Sequence, residues 1–340
     1  MTDPLAVLAR LYAGTPGLVR RGGETYPVTV RRLPGARVVL DDRPRAVDAA
    51  LAGGGRAFLD RLRAGGRVHD GAVLCLDRVE EPGRAGGAVV HVVPGGYFDM
   101  LATCDAVRDE LVRAATAADE GESDRTDGRT DGLPRPVSFA DLPLRRRAHE
   151  VAGDPTTSGA GRAAAFGVSV LLVVRTGPAD GGAAEETGVV LGLRSTRVGT
   201  DPGRWHVAPS GMLEPAADGR HLATTAATEL REELGVHRTV DEVEASLHVL
   251  GLVTDLTRLR PDVVVLLDLA AVGSRPTVAE LAAGEEFDTL EVVPTTPTRL
   301  ADLWTGRPPA TLTAAAAGAL ALLEEHVART VGIPAAPGVS

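Results

Sequence analysis

Apolar residues recur along this chain with two periods, and the switch between them lays out the elements. Val28–Leu33 and Arg37–Leu40 are short β-like runs divided by the turn dipeptide Pro34-Gly35. Between Ala46 and Arg63, the residues Val47, Leu51, Phe58, Leu59 and Leu62 suit one face of a helix, which Gly53-Gly54-Gly55 is expected to break in two. Ala72–Val79 and Ala88–Val93 read as strands, and Phe98–Ala118 as a helix opened near Gly95-Gly96. A second series starts at Val168–Arg175, apolar almost throughout, and continues at Gly188–Arg194; with the acidic Gly177–Glu186 between them they predict a hairpin with a mobile tip. After Trp205–Ala208 and a glycine-bounded segment, a helix runs from Leu222 to Leu234 and is stopped by Gly235. Strands at Ser246–Val253, Val263–Leu269 and Leu290–Val293 follow, and an Ala/Leu-rich helix at Thr311–Arg329 closes the series.

Strands alternating with helices predict an α/β (α+β) fold. The chain's 340 residues suggest two domains at roughly 100–200 residues each. The expected division is a smaller N-terminal α/β domain at 1–118, a flexible linker at 119–164, and a second domain at 165–330. The linker assignment rests on Asp119–Arg135, which holds almost no large apolar residue and contains the near-repeat Arg125-Thr126-Asp127-Gly128, Arg129-Thr130-Asp131-Gly132. Gly153–Gly161 is a second soft segment.

Composition narrows the chemistry. The chain contains no Lys, Asn or Gln, and its 36 basic residues are all arginine. A phosphate loop built on lysine and a Schiff-base lysine are therefore impossible. Any grip on phosphate must come from arginine, backbone N–H groups or a metal. A net charge of −10 argues against a nucleic-acid partner. No apolar run is long enough to span a membrane, and the first ten residues lack the pattern of a signal peptide, so the expected location is cytoplasmic. Cys75 and Cys104 lie in apolar segments and read as inert core thiols.

The densest chemistry lies in Thr228-Glu229-Leu230-Arg231-Glu232-Glu233-Leu234-Gly235-Val236. On a helix, Glu229, Glu232 and Glu233 crowd one face, where like charges repel. A solvated acidic face is the plain account. A divalent cation shared by the three is the other, because hard cations take oxygen ligands. Upstream, Pro209-Ser210-Gly211-Met212-Leu213-Glu214-Pro215 is a tight loop able to approach a ligand with its backbone.

Together these two pieces resemble the Nudix box, G-x5-E-x7-R-E-U-x-E-E-x-G-U, with U an aliphatic residue. Gly211 matches the opening glycine, and Glu229, Leu230, Glu232, Glu233, Gly235 and Val236 match the second half. Three departures stand out: the loop from Gly211 to Glu229 is three residues longer, the first glutamate has no counterpart in register (Asp218 is nearest), and Thr228 replaces the arginine. The missing pair brace each other in the family, so losing both leaves no orphaned charge. The resemblance implies a Nudix-type α/β/α sandwich in which Glu229, Glu232, Glu233 and the Gly211 carbonyl hold Mg2+ or Mn2+. Glu285-Glu286-Phe287-Asp288 is similar to the late segment that carries an extra glutamate in many members; Glu286 is the choice there, with Glu285 second. Either one also reads as a plain loop acid.

The implied activity is metal-dependent hydrolysis of a phosphoanhydride in a nucleoside diphosphate linked to another moiety, such as a nucleotide sugar. Glu232 or Glu286 is expected to handle the proton of the attacking water, and Arg194 or Arg204 to hold the distal phosphate. The alternative is an inactive Nudix-fold module that binds a nucleotide-linked ligand or a partner protein. The N-terminal segment, with Arg67-Val68-His69-Asp70-Gly71 and Gly95-Gly96-Tyr97-Phe98, loosely resembles the extension of a UDP-sugar-cleaving branch. An Asp-Gly turn and core aromatics account for the same residues. His206 is expected to be a buried strand residue.

Overall fold

The computed structural model describes residues 3–66, 68–81, 87–123, 136–177, 186–273 and 275–332. Its strands begin with β1 (Leu18–Arg21), β2 (Glu24–Arg32), β3 (Arg37–Leu40), β4 (Ala72–Glu80), β5 (Val89–Gly96) and β6 (Gly167–Arg175). They continue with β7 (Thr187–Arg194), β8 (Trp205–Val207), β9 (Ser210–Met212), β10 (Leu247–Asp255), β11 (Arg260–Leu267) and β12 (Phe287–Pro294). The helices are α1 (Pro4–Leu11), α2 (Ala49–Ala64), α3 (Tyr97–Met100), α4 (Ala106–Ser123) and α5 (Pro143–Ala152), then α6 (His221–Leu234), α7 (Val240–Ser246), α8 (Pro297–Gly306) and α9 (Ala314–Thr330). A π-helical turn, Leu101–Asp105, joins α3 to α4. No described helix is long and apolar enough to cross a membrane.

A mixed sheet in the order β1-β2-β10-β11-β6-β7-β12 forms the centre, with β8 on β7 and β9 on β6. β11 and β6 run parallel, and the other pairs are antiparallel. Strand β6 is apolar at nearly every position, Ser169 and Arg175 apart, and both its faces are covered. Val168, Val170, Leu172 and Val174 share a core with Ala226, Leu230 and Leu234 of α6. Leu171 faces the opposite way and shares a core with Leu320 and Leu323 of α9. Helix, sheet and helix therefore stack as an α/β/α arrangement, within the α/β class that the alternation predicted and in the layering that the resemblance implied. Gly318 lets α9 settle close, since a Cβ there would stand 2.6 Å from Val253 Cγ1.

A second, three-stranded sheet has the order β3-β5-β4. Its hydrogen bonds cross the boundary drawn between 1–118 and 165–330. Leu74 donates its N–H to Leu213 (2.9 Å), and Phe166 donates to Leu74 (2.8 Å). In the large sheet, β2 pairs directly with β10, Val30 opposite Val253. The two expected domains thus share one hydrogen-bonded frame.

The linker expectation is corrected for residues 136–164. They fold into α5 and ordered turns, with the side chains of Arg145 and Arg162 fully buried. Both guanidinium groups donate to backbone carbonyls, Arg145 to Leu256 and Thr257, Arg162 to Leu259, Pro155 and Ser158. The near-repeat at 125–132 and the hairpin tip at 178–185 lie outside the described residues. Helix α2 is also corrected: it runs unbroken through Gly53-Gly54-Gly55. A Cβ on Gly55 would lie 1.8 Å from the Ala102 carbonyl oxygen, so that glycine permits close approach of the π-turn.

Candidate functional site

A cavity of about 250 Å³ opens where β6, β9 and β11 begin, beside α6. Gly211, Glu229, Glu286, Arg194, Arg260 and Asp262 are among the residues on its wall. Helix α6 is placed there by Ala226, Leu230 and Leu234, which are buried against the sheet. Gly235 ends it in the left-handed conformation (φ 67°), and its N–H returns to Arg231. This anchoring turns the opposite flank of α6, with Glu229 and Glu233, toward β9.

Gly211 pairs with Val168 on β6 and meets Glu229 directly: a Cβ at Gly211 would stand 1.9 Å from Glu229 Oε1. Behind it, Glu233 is 4% exposed and accepts the Ser210 N–H at 2.9 Å. Burial pushes the Glu229 carboxyl up to about 7, with Glu286, Glu232 and Glu214 adding repulsion. Burial and then Glu229 push Glu233 up to about 9, against the Ser210 hydrogen bond. Glu286 stands on the wall, 49% exposed, 3.3 Å from Arg194. The fold therefore gathers Gly211, Glu229, Glu233 and Glu286 at one place. Glu232 sits apart from the cavity wall, 60% exposed and 3.0 Å from its neighbour Arg231.

Oxygen donors packed against a glycine, with raised carboxyl pKa values and no resident cation of their own, match the chemistry of a hard divalent ion. Among the described residues, no three His, Cys, Asp or Glu side chains are already gathered into a coordination shell.

The far wall was not foreseen. Arg258, almost completely buried, contacts Asp105 at 3.0 Å, Asp201 at 2.9 Å and Asp255 at 3.0 Å. Burial alone would raise Asp201, but Arg258 and Arg108 override it and hold that carboxyl well below the usual range. Asp262 accepts the Ser169 hydroxyl at 3.0 Å, and desolvation raises its pKa. Tyr97, expected to be a core aromatic, packs on the core and also lines the cavity. A legible signal existed for Asp262, a charge inside the apolar run Pro261–Leu267. Arg258 and Arg260 were invisible among so many arginines.

The remaining candidates fall as follows. Arg194 lines the cavity and donates from Nε to the Thr200 carbonyl at 2.8 Å, whereas Arg204 lines a neighbouring hollow. His206 is buried on β8 with Nδ1 2.6 Å from Thr313 Oγ1, and burial pushes it down to about 3, so it stays neutral. Asp218 pairs with Arg220 at 2.8 Å, on an exposed loop. Asp70 accepts the N–H groups of Gly71 and Phe98, as a turn residue does. The Cys75 and Cys104 thiols are buried, and desolvation raises both.

No protein-family model matches the chain, and no curated relative is similar to it in sequence. Among solved structures, it is similar to a MutT/nudix family protein from Enterococcus faecalis, at 17% identity and a TM-score of 0.27. That match covers 38% of this chain and 43% of the other, so the chain spans under half of that structure. It is also similar to RenU, a Nudix hydrolase from M. Smegmatis, at 18% identity and a TM-score of 0.30, over 50% of this chain and 88% of that one.

Proposed function

We propose that this chain is a Nudix-type hydrolase that cleaves a phosphoanhydride in a nucleoside diphosphate linked to another moiety, such as a nucleotide sugar, with Mg2+ or Mn2+. The observation that carries this reading is the contact of Glu229 with Gly211, backed by the buried Glu233. These positions match the opening glycine and two of the helix glutamates of the box.

In this reading Glu229, Glu233 and the Gly211 carbonyl hold the cation, and Glu232 joins them by turning away from Arg231. Bound there, the cation supplies neutralising charge for the diphosphate oxygens and acidifies a water. Glu286, on the cavity wall 3.3 Å from Arg194, would take the proton of the attacking water. The Arg194 N–H groups left free of Thr200 and Glu286 point a donor fork at a phosphate. The walls from Tyr97, Val168 and Met212 keep bulk water from the reacting group.

The outward turn of Glu232 favours a second reading, a module of the same fold that binds a nucleotide-linked ligand or a partner without turnover. A panel of nucleotide sugars, ADP-ribose, dinucleotides and nucleoside triphosphates separates the two. Release of nucleoside monophosphate from at least one, dependent on Mg2+ or Mn2+, is expected. Glu233→Gln is expected to lower it at least about a hundredfold, a loss of some 2.7 kcal/mol of transition-state stabilisation. Ligand binding with no turnover, unchanged in Glu233→Gln, selects the module.

A further inference from the structure

The cavity has a cationic end as well as an acidic one. Arg260, partly buried on β11, lines the wall and forms no ion pair among the described residues; its one polar contact is with Met100 Sδ at 3.9 Å. The reason lies two residues away. Asp201 and Asp255 on that wall, and Asp105 behind it, pair with Arg258, and Asp201 also with Arg108. Asp262 gives its Oδ2 to the Ser169 hydroxyl. Arg260 acts on the buried Asp262 through space without coming within ion-pair distance of it, so the partly desolvated guanidinium stays open to the cavity. Beside it on the wall stands Tyr97, whose hydroxyl has no hydrogen-bond partner among the described residues; burial and then Asp105 raise its phenol, and Arg260 opposes them.

The strand registers measure how far this end lies from the acidic one. Gly211 pairs with Val168, and Val168 with Val263, so two inter-strand steps separate Gly211 from Val263, about 10 Å. Arg260 precedes Val263 by three residues along β11, about 10 Å more at right angles. The two Cα positions are thus roughly 14 Å apart. With a diphosphate held against Gly211 and Glu229, the backbone of Arg260 lies toward the far end of the ligand, so its side chain is placed to meet a group further out.

Resting on the hydrolase reading for the ligand's diphosphate, we propose that Arg260, with the Tyr97 hydroxyl beside it, binds a second oxyanion of the substrate, a carboxylate or phosphate monoester remote from the bond that is cut. Arginine suits either, since its planar fork matches both in bidentate fashion. The oxyanion resides either on the leaving group or on the ribose. Neutral nucleotide sugars are then the poorer ligands.

The test is calorimetric binding to the full chain in the presence of a chelator, so that neither ligand is turned over. One arm compares uridine diphosphate glucuronate with uridine diphosphate glucose. The other compares ADP-ribose carrying a 2′-phosphate with ADP-ribose itself. In at least one arm the more acidic ligand is expected to bind at least about tenfold tighter, as a charge-assisted bidentate contact gives, and the arm identifies the source of the oxyanion. Arg260→Ala is expected to erase the preference, and Tyr97→Phe to reduce it. Arg260→Met, which keeps side-chain bulk, serves the same purpose should the alanine variant fail to fold. Equal or undetectable binding in both arms overturns the proposal, and so does a preference that survives in either Arg260 variant. Turnover without any acidic preference strikes this inference alone. A preference without turnover on the wider panel strikes the hydrolase reading alone.

Discussion

Two groups of three carboxylates meet at one cavity, lined by Asp201 and Asp255 from one and by Glu229 and Glu286 from the other, and their charge is balanced in different ways. On the far wall, Asp105, Asp201 and Asp255 converge on Arg258, and Asp201 ionises more readily than an ordinary aspartate despite its burial. At the acidic end, Glu229, Glu233 and Glu286 share only the rim contact with Arg194, and the two inner carboxyls are pushed up to about 7 and about 9. The first group carries its cation in the sequence and is finished when the chain folds. The second is left to take protons or an external cation. Glu233 and Asp201 are similarly buried, 4% and 8% exposed, so the difference between them comes from the arginines paired with Asp201. A structural ion cluster and a candidate catalytic one are told apart by this, and counting acids does not separate them.

The sharpest way to break the comparison is to remove the internal cation. Arg258→Met leaves three carboxylates facing one another in a wall that Arg258 itself has sealed. Breaking a buried ion pair by deleting one partner costs about 3–5 kcal/mol, and denaturant titration of the variant is expected to show a loss of that order. Glu233→Gln at the other end takes away a carboxyl that had no counter-charge, while a glutamine oxygen can still accept the Ser210 N–H. At pH 8 its metal-free stability is expected not to fall but to rise, because the carboxyl removed is one that folding pushes up to about 9. Equal losses in the two variants would erase the distinction.

A second expectation follows from the direction of the pKa shifts. A carboxyl whose pKa rises on folding contributes stability that is complete below its ordinary value of 4.5. That contribution is lost as pH climbs through the folded values, about 7 for Glu229 and about 9 for Glu233. In chelator, the melting temperature is therefore expected to fall between pH 5 and pH 9. Each kcal/mol moves it by roughly 2–4 °C in a domain of this class. Millimolar Mg2+ or Mn2+ should recover most of the loss at the alkaline end, because ligand that binds only the folded state stabilises it. Asp201 works in the opposite sense: its depressed carboxyl gives stability at neutral pH that disappears only in acid. A metal-free melting curve that is flat from pH 5 to pH 9 would mean the inner carboxyls are not uncompensated.

How much of this was legible follows from what each feature depends on. Helix α6 and its stop at Gly235 were readable because the signals are local: apolar spacing, then a glycine in the left-handed region. The α/β class was readable in the alternation of strands such as the nearly continuous apolar β6 with helices. Residues 136–164 were misjudged because their polar composition hides Arg145 and Arg162, whose guanidinium groups are satisfied by carbonyls some hundred positions away. The triple glycine in α2 was taken for a break because propensity opposes it; close packing on the Ala102 carbonyl overrides that preference at Gly55. For the site, Gly211 and Glu229 were singled out by their spacing, while their direct contact depends on the pairing of β9 with β6. The Arg258 cluster was not, since Asp105, Asp201, Asp255 and Arg258 come from separate segments joined only by the fold. No spacing rule sees such a group.

The smallest effect tests the one member of the acidic trio that the fold sets apart. The sequence places Glu229, Glu232 and Glu233 on equal terms, yet Glu232 has a side chain 60% exposed beside Arg231, while Glu233 is buried. An exposed charge in water interacts weakly with its neighbours. In chelator at pH 8, Glu232→Gln is therefore expected to change stability by no more than about 0.5 kcal/mol. Glu229→Gln, which removes a crowded and half-buried charge next to Gly211, is expected to stabilise the metal-free protein measurably. Titrating Mg2+ into both variants then asks whether Glu232 turns inward when a cation arrives. If so, its substitution weakens metal-induced stabilisation while leaving the metal-free protein unchanged. If Glu232→Gln stabilises the metal-free fold as much as Glu229→Gln does, the repulsion is shared among all three carboxylates, and the acidic end is organised as the helix spacing alone would have it.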